Sequence, residues 1–159
     1  MVEGLKHLVH ELTKWGDDQI DMFQQNDFWL ERELVQLYKL YFDISDKGVE
    51  GAHFEGLPHI HYGNIRINLA YNFSTFGYYP VVNTAHMGNL SAGYDTADAL
   101  DQLADIIAEL KVVDWLNQQG REMDGLRYFT YAFETRIRAR LIPLLNYLQE
   151  QVLPLATAV

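Results

Sequence analysis

HIHYGNIRINLAYNF, His59 to Phe73, is the stretch on which the fold turns. Its apolar residues Ile65, Ile67, Leu69, Tyr71 and Phe73 alternate with Arg66, Asn68, Ala70 and Asn72. A period of two is that of a strand with one buried face. STFG, Ser74 to Gly77, supplies a turn, and YYPVVNTAHMG, Tyr78 to Gly88, reads as the returning strand. Pro80 has no N–H to give to a ladder and so marks an edge. The pattern predicts an antiparallel β-hairpin over about residues 60–88, with 65–73 paired to 78–86. Two strands are marginal alone, so the hairpin must pack on helices or pair with another chain.

Outward from the hairpin the period changes to that of a helix. Before it, Leu5, Leu8, Val9, Leu12, Gly16, Ile20 and Phe23 form one stripe, and Leu30, Leu34, Leu37 and Tyr41 form another. These predict helices over about 3–25 and 28–42, joined as an antiparallel pair. After it, Asp95 or Thr96 caps a helix over about 96–119, seamed by Leu100, Leu103, Ile107 and Leu110. A last helix over about 124–150 carries Leu126, Phe129, Phe133, Ile137, Leu141, Leu144 and Leu148. Pro143 is expected to kink it, since the Ala139 carbonyl loses its donor. The fold class is therefore mostly α (α+β). It is a four-helix arrangement in αα-ββ-αα order with one inserted antiparallel hairpin, and residues 1–159 form a single domain.

Composition narrows the function classes. Hydrophobic residues make up 48% of the chain, which excludes intrinsic disorder, and cysteine is absent, which excludes disulfides and thiolate-bound metals. The formal net charge is −10, a surface that phosphate backbones repel, so no nucleic-acid partner is expected. MVEGLKHLVHELTKWGDD, Met1 to Asp18, lacks the basic start and apolar run of a secretory signal. No stretch is apolar over membrane-spanning length, so no membrane partner is expected and the cytoplasm is the expected location.

Four features carry potential chemistry. His59 and His61 sit at i and i+2, with His53 upstream and His86 on the second strand, a set of imidazoles that suits zinc. If Ser74 to Gly77 closes the hairpin symmetrically, Ile65 faces His86, and His61 lies about 13 Å further along the strand. A metal-dependent enzyme or metal binder on these four histidines is thus an alternative to the main reading, which expects no cofactor. DISDKGVEGAHFE, Asp43 to Glu55, is no calcium loop, because Lys47 and Phe54 stand where ligands belong. The acidic run Asp95, Asp98, Asp101, Asp105 and Glu109 reads first as the wet face of a helix and second as a docking face for a basic protein. Arg140, beside an apolar seam, calls for a carboxylate such as Asp114, and with Arg138 it offers a second alternative, a site for a small anionic ligand.

The hairpin is dense in Tyr62, Phe76, Tyr78 and Tyr79, residue types that make contact surfaces. With no glycine-rich phosphate loop and no nucleophile elbow in the sequence, the leading expectation is a non-enzymatic protein-binding or regulatory module. Its surface would be Tyr62, Phe76, Tyr78, Tyr79, Arg138 and Arg140. Its partner would be another protein, basic if charge selects it. The unpaired edges of the hairpin add an expected homodimer.

Overall fold

The computed structural model describes residues 2–20, 26–45, 54–82 and 94–156. Five stretches of helix and one hairpin follow in order: α1 (Val2–Asp17), α2 (Asn26–Ser45), α3 (Tyr62–Asn72), β1 (Tyr78–Val82), β2 (Tyr94–Asp98), α4 (Ala99–Gln118), and a long helix. The long helix comprises α5 (Glu122–Ala132), a π turn (Phe133–Ile137) and α6 (Arg138–Ala156). The class is as expected, mostly helical with one antiparallel two-stranded hairpin.

The position of the hairpin is not as expected. Tyr62–Asn72 is a helix, and β1 pairs with Tyr94–Asp98 in the register Tyr78↔Asp98 to Val82↔Tyr94. The 65–73/78–86 pairing therefore gives way to a third helix, and the order becomes ααα-ββ-αα. Residues 83–88 of the expected returning strand lie outside the described residues. The physical reason is visible in the burial of α3. Ile65, Leu69, Asn72 and Phe73 are buried, the i, i+4, i+7, i+8 pattern of a helix, whereas Ile67 stands 64% exposed.

Other boundaries shift as well. The first helix ends at Asp17, short of the expected 25, and the second extends to Ser45. Asp98 rather than Asp95 or Thr96 caps α4, accepting from Leu100 N at 2.9 Å, because residues 94–98 are strand. In the last helix the irregular backbone is the π turn, where Arg138 N–H donates to Phe133 O, upstream of Pro143.

α4 is the central element, packed against α1, α3, α5 and α6. Its buried residues, from Ala99 and Leu103 to Val113 and Leu116, surround most of its circumference, as a helix enclosed by others requires. Gly16 permits the closest approach: a Cβ there would stand 2.7 Å from Ile107 Cγ2 and 3.0 Å from Ile65 Cγ2. Asn68 and Asn72 of α3 then close the end of α1. Asn68 Nδ2 donates to Gly16 O and Asp17 O, and Asn72 Nδ2 donates to Trp15 O and Asp18 O.

α2 packs on α1 and on the long helix. Trp15 of α1 is buried, lies 5.1 Å from the Phe73 ring and donates its indole N–H to Glu33 of α2 at 3.2 Å. Burial pushes the Glu33 carboxyl above its ordinary value of 4.5, outweighing the pull of the indole N–H. The folded state then holds this proton more tightly than the unfolded chain does. Stability falls as pH rises from about 4.5 through the raised value, and the loss persists above it. Glu33→Gln keeps an acceptor for the indole without the charge. Its melting temperature is expected to exceed that of the wild type at neutral pH and to match it near pH 3.5, where both side chains are neutral.

Candidate functional site

Two of the four histidines of the metal alternative, His59 and His61, are together. His59 and His61 rings are 4.9 Å apart and perpendicular. They line an open cleft of about 350 Å³ with Gly16, Asp17, Asn64 and Lys111. Lys111 is tied to Asp17 across it. Among the described residues no group of three or more His, Asp or Glu is placed to hold a metal ion. His53 and His86, the other two histidines of the metal alternative, lie outside the described residues. What the cleft offers is two exposed imidazoles and a neutralised Lys–Asp pair.

The aromatic residues expected at one surface are dispersed. Phe76 packs on Phe73 and Tyr147, at 5.0 and 5.5 Å between rings. Tyr79 is buried, lies tilted against the Tyr147 ring at 4.8 Å and donates its hydroxyl to Gln102. Burial pushes its hydroxyl up to about 12. Tyr62 donates to Asp101 O at 3.3 Å, and burial with the nearby Asp105 and Asp101 carboxylates also pushes it up to about 12. Tyr78 alone of the four stands well out, on the outer face of β1 beside the exposed Val82. The set therefore forms no common patch, because core packing claims Phe76 and Tyr79.

Arginines neutralise the acidic ridge of α4 from neighbouring elements. Arg66 of α3 bonds Asp101 at 2.6 Å and Asp98 at 3.2 Å. Arg140 of α6 bonds Asp105, not Asp114, and also donates to Arg136 O. Arg136 of the π turn meets Glu109 at 2.7 Å, and the Tyr128 hydroxyl donates to the same carboxylate at 2.6 Å. The ridge is an internal clamp. Arg138 lies 5.8 Å over the Tyr38 ring, while Glu134, four residues before it, accepts from Tyr41 at 2.9 Å. Arg138 and Arg140 thus face different elements and share no anion site.

Sequence reasoning missed the outer face of α2. Phe28, Val35 and Phe42 are 55%, 52% and 46% exposed. Their spacing of seven residues returns each to nearly the same azimuth, so they form one stripe about 21 Å long. Arg32 lies 5.2 Å over the Trp29 ring at one end, and Trp29 meets Phe28 edge-on at 6.0 Å. At the other end Phe42 packs against Tyr38 and Tyr41, both 5.3 Å away. One turn past Arg138, the exposed Ile142 of α6 extends the apolar area on that side. Lys39 and Glu31 flank Val35, and neither has an ion-pair partner among the described residues. The signal available in the sequence was the spacing of Phe28, Val35 and Phe42, a second apolar stripe beside the Leu30–Leu34–Leu37–Tyr41 seam.

No described helix is long and apolar enough to cross a membrane. No protein-family model and no curated protein matches this chain. Among solved structures, protein BF1032 of Bacteroides fragilis, a structural-genomics target, aligns with a TM-score of 0.61 and 18% identity, covering 92% of this chain and 88% of its own. At that identity the likeness concerns the fold alone.

Proposed function

We propose that this chain is a non-enzymatic, cytoplasmic protein-binding module whose contact surface is the outer face of α2. The observation that carries the reading is the exposed stripe Phe28, Val35 and Phe42. Single exposed apolar residues need no explanation, but a continuous helical stripe with polar flanks is how one helix presents itself to another. Arg32, Lys39 and Arg138 flank it together with Glu31, so the face carries charges of both signs on a chain of net charge −10. It therefore favours a partner face that also carries charges of both signs over the basic partner that net charge alone suggests. The α4 carboxylates that a basic partner would need are engaged by Arg66, Arg136 and Arg140.

Site-specific photo-crosslinking tests this. A photoreactive side chain at Val35 is expected to capture polypeptide in the producing cell, and one at the still more exposed Ile67 of α3 is not. If Val35 captures no more than Ile67 does, α2 is not a binding face.

A further inference from the structure

We infer that the partner of this face is a second copy of the chain, with the two α2 helices packed antiparallel about a twofold axis at Val35. The inference rests on the reading of α2 as a binding face and adds the identity and register of what covers it. In an antiparallel pair centred on Val35, residues whose numbers sum to 70 lie at the same level. Phe28 then meets Phe42 of the second copy, Val35 meets its own equivalent, and Glu31 meets Lys39. Symmetry makes each of the outer contacts twice. At about 100° per residue, Phe28 and Phe42 lie within about 20° of the Val35 azimuth, and Glu31 and Lys39 within about 40°. All five thus belong to one seam. The aromatic contacts close both ends, and the two ion pairs flank the centre.

Charge fixes the direction. A parallel, in-register pair would set Glu31 against Glu31 and Lys39 against Lys39. The antiparallel register gives each of these charges an opposite partner, which neither has within its own chain among the described residues. The other two cations on the seam are already placed: Arg32 over Trp29 and Arg138 over Tyr38. The register also sets Asp27 opposite Asp43, at about 80° from Val35, where water and salt screen the repulsion. Sliding the register by a heptad would leave one phenylalanine of each helix without an apolar neighbour, so one alignment satisfies both the rings and the charges.

Sedimentation equilibrium of the full chain over a range of concentration, with circular dichroism to verify folding, tests the inference. The wild type is expected to dimerise. Glu31→Lys and Lys39→Glu should each weaken the dimer about tenfold or more, because each sets like charges together twice. The double variant, with the pairs exchanged, should recover most of that loss. Val35→Glu, which brings two carboxylates onto the axis, should give a folded monomer. A monomeric wild type overturns the inference, and so does a dimer that Val35→Glu leaves intact or whose two single variants are not rescued by the double. If the wild type is monomeric while Val35 crosslinks a different polypeptide, the second copy is excluded and the binding face stands. If Val35 crosslinks nothing and the chain dimerises elsewhere, both readings fall.

Discussion

Phe133→Ala is expected to destabilise the protein by about 3–5 kcal/mol, the usual cost of emptying the space of a buried aromatic ring. For a chain of this length that is a fall of roughly 10 °C or more in melting temperature. Phe133 opens the π turn and is fully buried. Its ring stacks on Tyr41 at 4.3 Å with planes 13° apart, meets Tyr38 edge-on at 5.4 Å and lies 5.7 Å from Phe129. Tyr41 is further held by its bond to Glu134, the next residue of the turn. The extra residue of a π turn re-aims the side chains that follow it. Here Phe133 and Glu134 face α2 while Arg136 reaches Glu109 on α4. The alanine cavity therefore opens beneath α2. Amide protection should drop first along α2, before the α4 amides change. Phe133→Leu refills part of the space and should cost less than half as much. Equal losses for leucine and alanine, or protection lost first in α4, would show that Phe133 does not seat α2. Because Tyr38 and Tyr41 carry the Phe42 end of the exposed stripe, Phe133→Ala should also weaken whatever binds there.

The sequence made four of the helices legible because their apolar stripes span several turns, where a period of 3.6 cannot be confused with a period of two. Over residues 62–73 it can. The two templates share every fourth position, so Ile65, Leu69 and Phe73 fit a strand and a helix equally well. The deciding residues were Ile67 and Tyr71, apolar yet exposed, and Asn72, polar yet buried. Both run against the simple rule that apolar side chains go inside. The asparagines held the correction: Asn64, Asn68 and Asn72 recur at intervals of four. The β2 strand YDTAD was masked by its acids, which read as the start of a helix. Arg140 was recognised as needing a carboxylate, but the choice of Asp105 over Asp114 depends on how α6 crosses α4, which no spacing reveals. The α2 surface was hidden for a different reason: one good seam already accounted for the helix, and its second stripe explains nothing about folding.

Asn72→Leu, similar in size, should cost about 2–4 kcal/mol by leaving buried polar groups without partners. Asn72 Oδ1 accepts from Ile20 N at 2.7 Å, and its Nδ2 donates to Trp15 O at 2.8 Å and Asp18 O at 2.7 Å. Its own carbonyl accepts from Asn26 Nδ2 at 2.9 Å, so one residue joins the end of α1, the segment after it and the start of α2 to α3. Asp18 is exposed and can turn to water, which puts most of the cost on Trp15 O and Ile20 N–H. Asn72→Asp separates the two halves of the amide. It retains the acceptor for Ile20 N–H but sets a carboxylate against two carbonyls. Burial and those carbonyls would raise its pKa above the usual value of about 3.9, so the folded state would bind the proton more tightly than the unfolded chain. The aspartate variant should therefore be close to wild type at low pH, where its carboxyl can donate, and lose stability steadily as pH rises through the raised value. The leucine variant should show a deficit that pH leaves unchanged. Melting curves of both variants from acid to neutral pH distinguish the two causes. Parallel curves would mean that Asn72 contributes by filling space and that its three side-chain hydrogen bonds add little. An aspartate variant that falls away from the wild type only at higher pH, beside a leucine variant with a constant deficit, would assign the join between α1 and α3 to the donor side of this one amide.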